Sequence, residues 1–469
     1  MIKPRDYQHR AIQDIRTSYI AGNRSPLLVL PTGGGKTIVF SYIAATTAAR
    51  DKKVLILVHR VELLRQTSEK LNWAGVRHGL VNPQYTQDLT ATVQVASVQT
   101  LVRRLAHFKR FFVPDLIIID EAHHATAGTW RKIVEEFPTS RVLGVTATPV
   151  RGDGKGLGVQ SGGIFDDMVI GPQVQELIDM GFLVKPLIYA PADKLDLSGV
   201  RTKMGDYDKQ EIEIRVDKPS ITGNAVQHYR KLCNGAPAVA FCVSIKHAEH
   251  VAAEFRANGY RAYAVDGGME DDTRKRILNG LGNGTVDVVA SCDLISEGTD
   301  IPAIGCAILL RPTQSTGLYI QQVGRALRPC NGKEYAIILD HVGNVITHGL
   351  PEEFREWSLD GEERSKKKSS APKCPVKQCP SCYMMHKPAP ICPSCGHIYV
   401  VEARELEERE GELQQITPEA AALLRKQRGR EVAGAKTLED LQRIEKERGY
   451  KPGWAKHVYM SRNRKETGI

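Results

Sequence analysis

No run of apolar residues in this chain approaches the roughly 18 that a membrane-spanning helix requires. The N-terminus also lacks the charged-then-apolar pattern of a secretory leader. Neither a membrane span nor a secretory leader is therefore expected, no membrane is expected as a partner, and the cytoplasm is the expected site. Internal repeats are missing too, beyond two halves that share one arrangement. What remains is ordinary soluble composition, 42% hydrophobic and 25% charged over 469 residues, enough for about three domains.

Charge is plentiful and unevenly placed. The net charge of +10 favours an anionic partner. Residues 361–469 carry 22 Lys and Arg against 15 Asp and Glu, so most of the excess sits in the C-terminal quarter. Such a tail fits either an anionic surface or simple solubility. The ten cysteines divide into two groups. Cys233, Cys242, Cys292, Cys306 and Cys330 are scattered among apolar residues and read as small core residues. Cys374, Cys379, Cys382, Cys392 and Cys395 crowd into one short stretch, which in a cytosolic protein suggests a metal rather than disulfides.

Between residues 25 and 150, short apolar runs alternate with helical patterns: Leu27–Leu30, Val54–Val58, Val93–Ala96, Leu116–Ile119 and Val142–Val145. Runs of this length, closed by Gly, His or an acid, mark parallel strands buried on both faces. A second block repeats the pattern at Ala238–Val243, Ala262–Val265, Val286–Ala290, Ala307–Leu310 and Tyr335–Leu339. The expected fold is α/β, with two tandem parallel-sheet domains and ligands at the carboxyl ends of their strands. The glycine-rich 152–158 follows no clear strand and is expected to be a mobile loop, not a dinucleotide site.

Pro31-Thr32-Gly33-Gly34-Gly35-Lys36-Thr37 empties directly from the first run. Backbone N–H groups of a side-chain-free loop can wrap phosphate oxygens, with Lys36 reaching the β/γ-phosphates and the Thr37 hydroxyl holding Mg²⁺. Leu30 stands where the strict pattern puts its first glycine. Asp120-Glu121-Ala122-His123 closes a strand downstream, where Asp120 can hold Mg²⁺ and Glu121 can orient or deprotonate a water. Thr146-Ala147-Thr148-Pro149 ends the next strand and can relay nucleotide state between domains. In the second block, Gln321 to Arg328 places Arg325 and Arg328 three apart, on one face if both are helical, as an arginine finger requires.

These motifs, in this order, resemble those of superfamily 2 helicases, built from two RecA-like domains, and the resemblance runs through residues 1–345. It implies that Tyr7 and Gln8 read adenine and that Gly33, Gly34, Gly35, Lys36 and Thr37 form Walker A. Asp120 to His123 is a DEAH-type Walker B, and Thr146 to Thr148 is motif III, with His123, Thr146 and Thr148 coupling the two. Ser291 to Asp300 is motif V, lending Gly298 and Asp300 to the nucleotide. Gln321, Arg325 and Arg328 form motif VI. His59 and Arg60, with Ser97, Gln99 and Thr100, are implied nucleic-acid contacts that hold phosphates without reading bases. The loop PTGxGKT, without the first glycine, is normal in this superfamily. Within it, VTATPVRGDGKGLG, LRPTQSTGLYIQQVGRALRP, ILDHVGN and a cysteine cluster resemble bacterial and phage DNA helicases of the RadD type. No nuclease signature resembling those of restriction motor subunits is evident. The implied activity is ATP- and Mg²⁺-dependent movement on DNA in replication, recombination or repair. RNA is an alternative substrate, because the motifs grip phosphates, and a nucleic-acid-binding scaffold with a switch-like ATPase is an alternative function.

Cys379-Pro-Ser-Cys382 and Cys392-Pro-Ser-Cys395 are two CxxC knuckles, the pattern of a closed, structural Cys₄ zinc ribbon. Zinc would supply folding energy that so short a segment cannot gain from a core. Cys374, His386 and His397 are nearby alternative ligands. The ribbon and tail are a possible dock for a replication or repair protein. Basic residues interleaved with Tyr450 and Trp454 fit either base stacking or packing of the tail. The expected organisation is a first RecA-like domain at 1–165, a connection at 166–219, and a second domain at 220–345. A linker at 346–373, the ribbon at 374–400 and a basic helical tail at 401–469 follow.

Overall fold

The computed structural model describes residues 3–125, 128–151, 154–191, 195–203, 205–233, 235–293, 304–360 and 376–399, and parts of 431–460. Residues from 401 onward form a separate unit.

The first domain runs α1 (Asp6–Ile20), β1 (Pro26–Val29), α2 (Lys36–Ala48), β2 (Val54–Val58), α3 (Val61–Trp73), β3 (His78–Val81), β4 (Val93–Ser97), α4 (Val98–Phe108), β5 (Leu116–Asp120), α5 (Gly128–Glu136), β6 (Arg141–Thr146) and β7 (Asp167–Ile170). Its seven strands are all parallel, in the order β3-β4-β2-β5-β6-β1-β7. Every residue of β1, β2, β4 and β5 is buried, as the continuous apolar runs require.

The chain continues through α6 (Val174–Asp179), β8 (Lys185–Tyr189), a small hairpin of β9 (Thr202–Lys203) and β10 (Asp206–Tyr207), α7 (Lys209–Val216), α8 (Pro219–Leu232), β11 (Ala238–Phe241), α9 (Ile245–Ala257), β12 (Ala262–Val265), α10 (Asp271–Asn283), β13 (Val288–Ser291), β14 (Cys306–Leu309), α11 (Thr316–Ala326), β15 (Tyr335–Asp340) and α12 (Asn344–His348). The second sheet is also wholly parallel, in the order β12-β13-β11-β14-β15-β8. The stretch 166–219 is therefore not a mere connection. Its β7 completes the first sheet beside β1 and its β8 completes the second beside β15.

The linker expected after residue 345 is partly structured as well. Residues 350–360 return from the second domain to the first. The Arg355 N–H donates to Gln173 Oε1 and Gln173 Nε2 donates to the Arg355 carbonyl, both at 2.9 Å. Trp357 and Leu359 pack on the first domain's core, and Gly158 N–H donates to the Leu359 carbonyl at 2.9 Å. A Cβ on Gly156 would lie 2.2 Å from that same carbonyl oxygen, so the glycines beyond motif III admit this return strap. The described part of that loop is a packed turn rather than a mobile one, with Leu157 buried.

The ribbon hairpin, β16 (Lys377–Gln378) and β17 (Met385–His386), sits on the outer edge of β8. Met384 bridges Tyr189 in antiparallel fashion, and Gln378 Nε2 donates to the Ala190 carbonyl at 2.6 Å. That cover protects an otherwise open sheet edge. In the separate C-terminal unit, Leu441 and Ile444 of a helix at Leu438–Glu447 are buried, and Trp454 packs partly buried against them. Packing is the reading this favours for Trp454, whereas Tyr450 and the basic stretch 424–430 lie outside the described residues.

Candidate active site between the two sheets

The phosphate loop leaves β1 and turns at two left-handed glycines, Gly33 (φ 87°) and Gly35 (φ 82°), the second capping α2. Lys36 and Thr37 open that helix, where unpaired N–H groups and the helix dipole favour an anion. Tyr7 and Gln8 stand behind the loop. The Tyr7 hydroxyl donates to the Gly34 carbonyl at 2.9 Å and Gln8 Nε2 donates to it at 3.1 Å. A Cβ on Gly35 would lie 2.3 Å from Gln8 Nε2, so this support and a bare Gly35 need each other. Both side chains are buried against the loop.

Lys36 is half-buried, and its Nζ donates to the Leu30 carbonyl at 3.4 Å. Burial lowers its pKa, Glu121 and Asp120 oppose that, and Arg325 and Arg328 add to it. Asp120, at the end of β5, is pushed well above the usual carboxylate range by burial and by the adjacent Glu121, against the pull of Lys36. A compact centre thus gathers two carboxylates, a lysine and two guanidiniums. Such a site suits a polyanion with a divalent cation.

Glu121 adopts φ 48°, ψ 53°, the left-handed region that costs a residue with a side chain about 1 kcal/mol. The turn sends its carboxylate to His123, with Nδ1 at 3.4 Å from Oε2. His123 Nδ1 also lies 3.0 Å from Thr146 Oγ1. That hydroxyl spends its proton on the Thr148 carbonyl at 2.9 Å, so Nδ1 must be the donor to it. Glu121, His123, Thr146 and Thr148 therefore form one linked chain.

The second domain meets this chain and the phosphate loop through glycines of α11. A Cβ on Gly317 would lie 2.7 Å from Thr148 Oγ1, and one on Gly324 would lie 2.7 Å from Thr32 Cβ. Gln321, Gln322 and Arg325 are buried in the contact. Arg328 does not share the helix face expected for it, because α11 ends at Ala326 and is capped by Leu327. It faces the lysine from the chain beyond. Gly298 and Asp300 lie outside the described residues.

The expected nucleic-acid residues cluster at the carboxyl ends of β2 and β4. Ser97 is buried and its hydroxyl donates to Gln99 Oε1 at 3.0 Å, while Gln99 Nε2 donates to the His59 carbonyl at 3.0 Å. His59 packs against His124, the rings tilted by 47° with centroids 4.4 Å apart. Arg60 caps α3 and donates to the Asp293 carbonyl of the second domain at 3.3 Å, and Thr100 is half-buried on α4. Sequence reasoning missed several charged partners, the first of them across the domains and the others within the second. Buried Arg274 reaches Glu62 at 3.5 Å, and Arg311 pairs with both Asp206 and Asp293. Gly317 lies inside the motif LRPTQSTGLYIQQVGRALRP, but only its neighbour Thr148 shows why it is bare.

The four knuckle sulfurs of the ribbon lie within 4.8 Å of one another, with Cys379 to Cys395 at 3.6 Å and Cys382 to Cys392 at 3.7 Å. Sulfurs at zinc's usual bond length, placed tetrahedrally, would be about 3.8 Å apart. The donor set therefore fits zinc. His386 is taken by Tyr399 at 2.8 Å and the Lys387 carbonyl at 2.6 Å, and neither it nor His397 joins the group of four sulfurs, which leaves thiolates as the ligands among the described residues. Cys374 lies outside them.

Two parallel sheets closed over a phosphate loop, with arginines from the second facing the lysine of the first, define a two-domain P-loop NTPase. Residues 1–151 match the family described as type III restriction enzyme, res subunit, and residues 224–330 match the helicase conserved C-terminal domain. The chain is 35% identical over 395 residues to a 51.5 kDa protein of a Lactococcus phage, covering 84% of this chain and 82% of that one. It is 31% identical to IRC3 of Saccharomyces cerevisiae, named provisionally as an ATP-dependent helicase, over 72% of this chain but only 51% of that protein. The chain thus spans about half the length of that yeast relative. The ATP-dependent type ISP restriction-modification enzyme LlaBIII bound to DNA shares the fold, with TM-score 0.52, 19% identity and coverage of 72% of this chain and 27% of that one. The chain belongs to the superfamily 2 helicases. It is an ATP-hydrolysing enzyme of that family.

Proposed function

We propose that this enzyme couples ATP hydrolysis to movement along, or remodelling of, DNA. The contact of Gly317 and Gly324 with Thr148 and Thr32 carries the reading, because it ties the second domain's position to the phosphate loop and to motif III. The DNA assignment is supported by the DNA-bound relative and by the net charge of +10.

In this reading Gly33, Gly34, Gly35 and Lys36 hold the phosphates, while Thr37 and Asp120 hold Mg²⁺. The cation supplies charge neutralisation at the β/γ-phosphates when bound. Asp120 must lose its proton to serve. Glu121 orients the attacking water, and Arg325 and Arg328 stabilise charge on the transferring group, with Gln321 beside them. The Glu121–His123–Thr146–Thr148 chain reports that chemistry to α11. Domain closure and opening then shift nucleic acid across His59, Arg60, Gln99 and Thr100, with buried Ser97 holding Gln99. Tyr7 and Gln8 brace the loop beside the adenine. Cys379, Cys382, Cys392 and Cys395 hold a structural zinc. The two sheets with their helices form the motor domains, the first extending to β7 and the second beginning at β8.

Steady-state ATP turnover without polymer, then with single-stranded DNA, forked DNA and RNA, tests the proposal. DNA should stimulate turnover, and Glu121→Gln or Lys36→Ala should lower it by at least about 100-fold. Wild-type turnover in either variant would sink the assignment, and stimulation by RNA alone would move the substrate.

A further inference from the structure

Helix α4 carries a basic face that begins at Gln99 and Thr100. Arg103 and Arg104 follow one turn later, and Arg110 continues the line just beyond the helix end, with His107 alongside. All four of these residues are exposed. From Leu89 to Pro114 the chain contains no Asp or Glu. Lys109 is spoken for by Glu136, but no described carboxylate pairs with Arg103, Arg104 or Arg110. Three unpaired guanidiniums on one face repel one another, so the row is tolerated rather than stabilising without a polyanion against it.

The direction of the row identifies that polyanion. As the β4-to-β5 crossover, α4 descends from the carboxyl edge of the sheet to its opposite edge, about 16 Å for eleven residues. A strand crossing the carboxyl edges of both sheets meets Gln99 and Thr100 but leaves Arg110 far below. A second backbone must supply phosphates there, and roughly five per strand lie along 16 Å of duplex axis.

We propose that the α4 face, through Arg103, Arg104 and Arg110, is a backbone-binding surface for the duplex arm of a DNA whose single-stranded arm occupies the motor cleft. This rests on the DNA reading above and adds the class of DNA that it prefers.

Equilibrium binding of forked and fully single-stranded DNA across a salt series tests it, on wild type, the triple Arg→Ala variant of 103, 104 and 110, and the matching triple Arg→Lys variant. All three side chains are exposed, so folding is checked by thermal melting and expected intact. The Ala variant should lose at least ~10-fold in fork affinity and flatten the salt slope by about 3. Its single-strand affinity should change less than ~3-fold, and the Lys variant should bind forks nearly as wild type does. Unchanged fork binding and slope would overturn the surface. Equal loss on both DNAs would overturn the duplex assignment. Wild-type protein that binds no DNA at all would instead remove the reading beneath it, and this inference with it.

Discussion

Single residues here carry more chemistry than their names suggest. Asp340 and His341 close β15 side by side, and burial moves their protons in opposite senses. Burial raises Asp340 to about 6, despite backbone N–H groups of residues 342–345 donating to its carboxylate. Burial, with His228 stacked 5.2 Å away, lowers His341 to about 3. Below about pH 6.5 the unfolded chain takes up a proton that the folded His341 refuses, so its contribution falls as pH falls. Asp340 acts the other way, since its folded form binds the proton more tightly and gains on acidification between about 6 and 4. Replacing the histidine should therefore favour the variant progressively in acid. Urea unfolding of His341→Gln against wild type should shift by about 2 kcal/mol in the variant's favour between pH 7 and pH 5. A pH-independent difference would mean that the histidine stays solvated. Nothing in the run ILDHVGN foretells this, because a sequence shows which group titrates but not what surrounds it.

Strands were legible where their apolar residues run on without a break, which is mostly the buried ones, although the edge strand β12 was legible too. Strands β2 and β12 coincide with the apolar runs, and most of the others differ by a residue or two at their ends. Within the two large sheets the unread strands, β3, β7 and β8, are all at edges. An edge strand has one neighbour and a partly wet face, so His78–Val81 and Lys185–Tyr189 alternate buried with half-buried or exposed residues and never form a continuous run. The motifs of the ATP site were legible by composition and spacing, but the way α11 fits against them was not. The bare backbone of Gly324 is a shape that only Thr32 explains. Gly324→Ala should hold the cleft open by a few tenths of an ångström, lowering ATP turnover at saturation at least ~10-fold while nucleotide affinity changes less. Steady-state kinetics beside nucleotide-binding titration checks this, and normal turnover would show that Thr32 yields.

At the scale of the molecule, the four-cysteine ribbon belongs to the second sheet. The knuckles were plain in the spacing of four cysteines, whereas their dock on β8 depends on Met384, Met385 and Gln378, whose pattern announces nothing. Removing zinc with a chelator, or substituting Cys382→Ser, should therefore reach beyond the ribbon. Amide exchange at Lys185–Tyr189 should accelerate and the melting temperature fall by several degrees. Exchange confined to residues 376–399 would show that the ribbon only rests on the edge.

The strap at 350–360 bears on how such a machine can move. With the stretch between β7 and β8 it gives the two domains a pair of covalent crossings rather than one. A body hung on a single thread can swing and swivel in any direction. Two crossings laid side by side, Arg355 bonded to Gln173, resist a swivel that either alone would allow. The strap thus favours a hinged opening of the cleft over a free one.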